Sequence, residues 1–148
     1  MGFSQQGLNG MSQVFHKLLR DRVARGKYQY ADRPIVINNW EATFFDFDDK
    51  KLDQIIDEAK PLGIEMFVLD DGWFGHRNDD NSSLGDWFVN QDKLTGGLKR
   101  VADRTHEHGM KFGLWFEPEM ISVDSKLYKE HPDYALHESN RGMTLSRN

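Results

Sequence analysis

The chain has 148 residues, of which 38% are hydrophobic and 12% aromatic, a composition that predicts a folded globular protein with a core of its own. Its formal net charge of -5 supplies no basic surface for nucleic acid or an anionic membrane, and the absence of cysteine excludes disulfides and thiolate sites. No apolar run approaches the roughly 18 residues that a membrane span needs, and no signal peptide is visible at the start. We therefore expect a soluble, cytoplasmic protein without nucleic-acid or membrane partners.

Apolar residues at three- and four-residue spacing predict an amphipathic helix over residues 11–25. Ser12 is a candidate N-cap for this helix, and Gly26 suits a left-handed C-terminus. The preceding residues 2–10 are rich in Gly, Gln and Asn and are interpreted as a connector. Residues 1–32 are therefore predicted to be a lead-in segment to a separate folded part that begins at residue 33.

That folded part alternates apolar runs with amphipathic segments, a pattern that predicts parallel strands separated by helices. Asp48 is the expected N-cap of a first helix of about eleven residues, which Pro61 and Gly63 end. A polar loop over residues 74–95 precedes the second helix, which Gly109 closes. A short third helix is expected to stop at Pro132, followed by a polar, turn-prone end. The predicted strands are residues 33–40, 64–69 and 111–116.

Each predicted strand is followed by a tryptophan or an acid: Trp40, the pair Asp70 and Asp71, and Trp115. Singly, Trp40 suits core packing and the acids suit a turn, but the carboxyl ends of parallel strands are where active-site residues collect. A carboxylate accepts hydrogen bonds from vicinal hydroxyls, and an indole face packs on the C–H surface of a sugar ring. The pattern therefore predicts a site for a polyhydroxylated ligand.

Two further features lie near these residues. Asn38 and Asn39, at the end of the first strand, are interpreted as turn and loop residues. Within the long loop, Gly85, Asp86 and Trp87 repeat the combination of acid and aromatic residue, either as part of the site or as an anchor for the loop.

The order of strand and helix predicts an α/β fold, either a barrel or a doubly wound sheet. No phosphate-binding glycine pattern follows any strand, which favours the barrel. A complete (β/α)8 TIM barrel needs roughly 200 residues or more, whereas three βα units fit here. We expect residues 33–148 to be the N-terminal part of an incomplete barrel.

Three stretches of the chain, RPIVINNWEATFFDF, GIEMFVLDDGWFG and KFGLWFEPEM, closely resemble bacterial α-galactosidases of the glycoside hydrolase 36 family, the melibiase group. The stretch GLNGMSQVFHKL resembles the segment that leads into the barrel of those enzymes. The resemblance covers nearly the whole chain. It implies a longer enzyme in which a β-sandwich, a (β/α)8 barrel and a C-terminal β domain follow one another, with this chain as an internal excerpt.

The resemblance also implies roles for particular residues. Trp40 and Trp115 would line the pocket for a terminal galactose, and Asp70 and Asp71 would hydrogen-bond its hydroxyls at C4 and C6. The family's nucleophile is the Asp of a KWDxN motif and its acid/base is a later Asp, so both catalytic residues are expected beyond Asn148 and none within this chain.

These implied roles differ from what the residues alone suggest, because Asp70 and Glu117 otherwise fit the two carboxylates of a retaining glycosidase. The implied activity is retaining hydrolysis of terminal α-D-galactosides of the melibiose and raffinose type, without metal or organic cofactor, by a homo-oligomer such as a tetramer. Three alternatives remain: a galactosyl-transferring relative such as a raffinose synthase, a non-catalytic sugar-binding remnant, and a divalent-metal site at Asp70, Asp71 and Glu117.

Overall fold

The computed structural model describes residues 2–136. The chain consists of two units, Met1–Pro34 and Ile35–Asn148, each of which makes most of its contacts within itself. Within residues 2–136, no helix combines the length and the apolar character needed to cross a membrane. Of the turn-prone end predicted after Pro132, residues 137–148 lie outside the described part.

The first unit consists of one long helix and a tight turn. Helix α1, Gly7–Leu18, continues into a π-helical turn, Leu19–Val23, and a 3-10 turn follows at Gly26–Gln29. Gly26 has a φ of 68°, but it does not form the predicted left-handed C-terminus, because the helical stretch ends at Val23 with Ala24 extended, and Gly26 begins the 3-10 turn. The apolar face predicted for this helix is between 43% and 65% exposed at Val14, Phe15, Leu18, Leu19 and Val23.

The predicted start of this helix is wrong. The helix begins at Gly7, so Ser12 lies inside it, and Gln6, which precedes it, makes no capping bond with its side chain. Glycine costs a helix only about 1 kcal/mol relative to alanine, so Gly10 does not interrupt it. The interpretation of residues 2–10 as a connector therefore holds only up to Gln6.

The second unit contains a three-stranded parallel sheet in the order β1-β2-β3, which confirms an α/β arrangement. The strands are shorter than the predicted runs because the flanking residues leave the sheet early, as Trp40 does by starting a helix. In the register, Asn38 lies opposite Val68 and Leu69 lies opposite Leu114. The strands are β1 (Val36–Asn38), β2 (Met66–Leu69) and β3 (Lys111–Leu114).

Within residues 35–136, four helices accompany the sheet: α2 (Trp40–Thr43), α3 (Asp49–Ala59), α4 (Gly97–Glu107) and α5 (Lys126–Glu130). Short 3-10 turns follow α3 at Lys60–Leu62 and α5 at Pro132–Tyr134. The Asp48 carboxylate accepts a hydrogen bond of 2.8 Å from the Lys51 backbone N–H, which confirms the predicted N-cap of α3. Gly63, with a φ of 83°, ends this region in the left-handed conformation.

The core is built from β2, α3, α4 and the long loop, and its members are almost without solvent exposure. Helix α3 contributes every third or fourth residue, as the sequence pattern predicts. The loop is packed rather than open, since it supplies several of the core side chains. The core includes Leu52, Ile56, Ala59, Phe67, Leu69, Val101, Trp73, Phe74, Leu84 and Leu94.

Candidate functional site

The end of β2 is capped by a side chain that follows β1. Asn39 is fully buried, and its Oδ1 accepts a hydrogen bond of 2.8 Å from the backbone N–H of Asp70. Its Nδ2 donates to the Thr43 hydroxyl at 2.9 Å. Because a buried N–H without a partner is costly, this amide fixes the point at which the chain leaves the strand. Asn39, interpreted from the sequence as a turn residue, therefore positions Asp70.

The carboxylate of Asp70 is half-buried and is oriented by two donors. Its Oδ1 accepts from the backbone N–H of Asp71 at 2.7 Å, and its Oδ2 accepts from the Asn38 side-chain amide. The Asn38 Oδ1 in turn accepts from the Trp40 backbone N–H at 2.7 Å. A carboxylate offers about four acceptor sites, so Asp70 retains capacity for donors from a ligand.

The carboxylate of Asp71 has a different environment, because it forms a buried ion pair with Arg77. The Arg77 Nη2 donates to Asp71 Oδ2 at 2.8 Å, and its Nε lies 3.0 Å from Oδ1 and 3.2 Å from Oδ2. Only 3% of the Asp71 side chain is exposed and none of the Arg77 side chain is. The two adjacent acids are therefore not equivalent: Asp70 is more accessible and Asp71 is held from within.

A half-buried lysine stabilises the loop that follows the acids. The Lys93 ammonium donates to the backbone carbonyls of Gly72 and Arg77, each at 3.0 Å, and lies 4.8 Å from the centroid of the Phe47 ring. Burial lowers the pKa of Lys93, and the negative charge of Asp71 opposes this shift. Lys93 thus joins the two ends of the segment between the acids and Arg77.

Trp115 lies in an aromatic cluster formed by Trp73, Phe74, Trp87, Trp115 and Phe116. Its ring is nearly parallel to that of Phe74, with centroids 6.3 Å apart, and lies 6.3 Å from that of Trp87. Its backbone carbonyl accepts from the Trp73 indole N–H at 3.0 Å. The ring remains partly exposed, so it offers a supported flat surface.

Trp40 belongs to a separate aromatic group. It is the first residue of α2, and its ring meets those of Phe44 and Phe45 edge to face, with centroids 5.3 Å and 4.9 Å apart. Its ring is also half-buried. Trp40 is connected to Asp70 through Asn38, which accepts from the backbone of the first and donates to the carboxylate of the second.

The sheet register brings the predicted site residues to one edge. Since Leu69 lies opposite Leu114, Asp70 and Trp115 are the first residues beyond two paired positions. Trp40 follows Asn38 by two residues, as Asp70 follows Val68. The carboxyl edge of the sheet therefore presents Trp40, Asp70 and Trp115 at a common level, the position at which ligands bind in parallel α/β folds.

The acid and aromatic residue within the long loop, Asp86 and Trp87, anchor that loop. The Asp86 carboxylate accepts from the backbone N–H groups of Lys126, at 3.0 Å and 3.1 Å, and of Leu127 at 3.3 Å, at the start of α5. Trp87 packs in the aromatic cluster. An antiparallel bridge between Phe74 and Val89 closes the loop on itself. Of the two interpretations of this combination, the anchoring one fits these contacts.

A groove of about 560 Å³ lies beside the aromatic cluster and has Trp87 in its wall. Its described lining includes Met120, Ile121 and Leu127, and none of the four predicted site residues. Within residues 2–136, no group of three or more His, Asp or Glu side chains is arranged to hold a metal ion. The described side-chain contacts of Asp70 and Asp71 are hydrogen bonds and, for Asp71, the ion pair with Arg77.

The acids and tryptophans follow the carboxyl ends of parallel strands, which is where the active sites of α/β enzymes are built. The chain belongs to the melibiase family, whose model matches residues 1–148. The resemblance carried by the three sequence motifs is thereby confirmed.

The chain is 62% identical over 148 residues to α-galactosidase Mel36A of Lactobacillus acidophilus, covering 100% of this chain and 20% of the relative. Among solved structures, that of the family 36 α-galactosidase AgaA of Geobacillus stearothermophilus superposes with a TM-score of 0.90 and 56% identity, covering 98% of this chain and 20% of that one. A variant of AgaA has been solved in complex with raffinose. The chain thus spans about 20% of the length of the curated relatives it matches.

Proposed function

We propose that the whole protein hydrolyses terminal α-D-galactosides with retention of configuration, and that this chain supplies galactose-binding residues. The observation that carries the proposal is the Asp70 carboxylate, which two donors orient at the carboxyl edge of the sheet in a chain of the melibiase family. Raffinose and stachyose, with which AgaA variants have been solved, support an oligosaccharide substrate with a terminal galactose.

Residues 33–148 are proposed to be the first three βα units of a (β/α)8 barrel, and residues 1–32 the segment that leads into it. Support comes from the sheet order β1-β2-β3, in which each strand pairs in parallel with the next strand along the chain. This order is the one in which a barrel adds its strands. A homo-oligomeric state and a cytoplasmic location are proposed with it, to be tested by light scattering and cell fractionation.

The four residues of the proposed galactose site have two kinds of role. Trp40 and Trp115 form apolar walls against the C–H surfaces of the ring, because both indoles are half-buried and backed by other aromatic rings. Asp70 and Asp71 accept hydrogen bonds from ring hydroxyls at C4 and C6. Of the two acids, Asp70 provides the more accessible oxygens.

The chemistry is assigned to two aspartates beyond Asn148. One attacks the anomeric carbon and forms a galactosyl-enzyme ester, while the other protonates the departing glycosidic oxygen and then removes a proton from the water that hydrolyses the ester. Neither a metal nor an organic cofactor enters this scheme. The contribution of this chain is to hold the galactose ring so that its anomeric carbon faces the nucleophile.

The test is the variant Asp70→Asn in the full-length protein, assayed on a nitrophenyl α-galactoside. We expect kcat/KM to fall by about 10- to 100-fold, the effect of losing one or two charge-assisted hydrogen bonds, while the melting temperature stays near that of the wild type. Asp79→Asn, an exposed carboxylate in the long loop, is the matched control and should leave kcat/KM unchanged. An unaltered kcat/KM in Asp70→Asn would remove this residue from the site.

A further inference from the structure

We propose that Arg77 is a positioning residue for sugar recognition, acting through Asp71 without contacting the sugar itself. This inference rests on the proposed function and adds a residue that the sequence motifs did not single out. Arg77 lies in the long loop, six positions after Asp71, and its side chain has no solvent exposure. A buried guanidinium in a loop requires a specific set of partners, and those partners point to its role.

The guanidinium of Arg77 binds the Asp71 carboxylate through two of its nitrogens. Its Nε and Nη2 contact both carboxylate oxygens, at 3.0 Å and 3.2 Å from Nε and 2.8 Å from Nη2. Its Nη1 donates to the backbone carbonyl of Ser82 at 2.9 Å, so the far side of the guanidinium is fixed to the loop. A planar guanidinium with two parallel donors sets the plane of the carboxylate it holds, which a lysine ammonium does not.

The contacts with Arg77 leave little acceptor capacity on Asp71. Two N–H groups of Arg77 are directed at the carboxylate, that of Nε being shared between both oxygens, and only 3% of the Asp71 side chain is exposed. The orientation of the remaining acceptor capacity is set by Arg77, which fixes the plane of the carboxylate. A hydroxyl that donates to Asp71 must therefore approach along the line that the ion pair defines.

The backbone between the two partners is also held rigidly. Lys93 donates to the carbonyls of Gly72 and Arg77, at opposite ends of the segment, each at 3.0 Å. Gly72 has a φ of 98°, and a Cβ there would lie 3.0 Å from the Phe45 ring, so only glycine fits this turn. The backbone of Arg77 is therefore fixed relative to Asp71, as a positioning role requires.

The test uses Arg77→Lys in the full-length enzyme, with Arg100→Lys as the matched control. Arg100 also pairs with a carboxylate through two nitrogens, that of Asp53, but it does so between α3 and α4. For Arg77→Lys we expect KM for a nitrophenyl α-galactoside to rise about 10-fold with kcat within about threefold of the wild type, as expected when a binding contact is lost. Arg100→Lys should leave both constants unchanged.

A second comparison separates positioning from a general loosening of the fold. If Arg77 acts through Asp71, the double variant Asp71→Asn/Arg77→Lys should match Asp71→Asn in kcat/KM within about twofold. The double variant Asp70→Asn/Arg77→Lys should instead have a lower kcat/KM than Asp70→Asn alone. Should Arg77→Lys fail to fold, Arg77→Gln, which keeps neutral donors, is assayed in its place.

The outcomes are distinguishable from failure of the proposed function. A wild-type enzyme that does not cleave α-galactosides overturns the proposed function. An active wild type in which Arg77→Lys behaves like Arg100→Lys overturns the positioning role alone. A fall in kcat with unchanged KM, or additive losses in Asp71→Asn/Arg77→Lys, also overturns it.

Discussion

At the scale of single residues, Asn39 shows how a side chain from one strand determines where the next one ends. Its amide is buried, accepts from the Asp70 backbone and donates to Thr43, so it couples the position of Asp70 to the start of α2. The sequence placed Asn39 correctly at a strand end. Its partner lies 31 positions away, and no local pattern identifies a contact over that distance.

The variant Asn39→Ala should destabilise the protein through this contact. The substitution removes a buried amide and leaves the N–H of the half-buried Asp70 without its acceptor, which costs about 1–3 kcal/mol. Melting temperatures of the full-length protein measure the effect. Asn81→Ala, in the exposed part of the long loop, serves as the control and should change stability by no more than about 0.5 kcal/mol. Equal melting temperatures for the two variants would contradict the capping role.

The lowered pKa of Lys93 predicts a pH-dependent contribution to stability. Between that lowered value and about 10.4, the ordinary value, the unfolded chain keeps a proton that the folded chain has lost, so stability rises with pH across this interval. Lys93→Met lacks this contribution, and the neutral amine of the wild type still has N–H groups for both carbonyls. The loss of melting temperature in Lys93→Met should therefore grow as pH increases towards about 10.4.

The control for this measurement is Lys99→Met, which removes a lysine whose side chain is 85% exposed on α4. The melting temperature of Lys99→Met should differ little from that of the wild type at every pH, since exposed ion pairs contribute about 0–1 kcal/mol. If the loss of melting temperature in Lys93→Met became smaller as the pH rises, that result would contradict a lowered pKa for Lys93.

At the scale of elements, α3 was predictable from sequence because its signals are local. Asp48 supplies the cap, and apolar residues at helical spacing define the buried face. The four-residue α2 was not predicted, because Trp40 also fits the end of a strand and so short a segment has no periodicity. Arg77 was missed for a related reason: its partner becomes its neighbour only when the long loop folds back.

The buried face of α3 can be tested with two adjacent isoleucines. Ile56 is fully buried, so Ile56→Ala should cost about 2–5 kcal/mol through lost burial and the cavity left behind. Ile55, next to it, is only half-buried and serves as the internal control. Ile55→Ala should lower the melting temperature less than Ile56→Ala does. The reverse order would mean that α3 packs through a different face.

At the scale of the whole molecule, β1 and β3 are edge strands of the described sheet, because each pairs only with β2 among residues 2–136. Ile35 and Val36 at one edge are 57% and 47% exposed. Unpaired strand edges and exposed apolar side chains favour association. Residues 1–148 expressed alone should therefore self-associate and bind a hydrophobic dye.

Analytical ultracentrifugation and thermal unfolding measure this directly. The full-length protein, in which further strands are proposed to continue the barrel, is the comparison and should show no such dye binding. A monomer that unfolds cooperatively at micromolar concentration would show that the 148 residues form an independent folding unit.

The parallel register has a consequence for how this gene can tolerate changes in length. Side chains alternate between the two faces of β2, so one inserted codon within Met66–Leu69 would turn Asp70 to the opposite face and misalign it with Trp40 and Trp115. Positions 78–81 are exposed and belong to no strand, so a change in their number does not alter the sheet register. Insertions and deletions should accumulate there during evolution, while the number of residues in the central strand remains fixed.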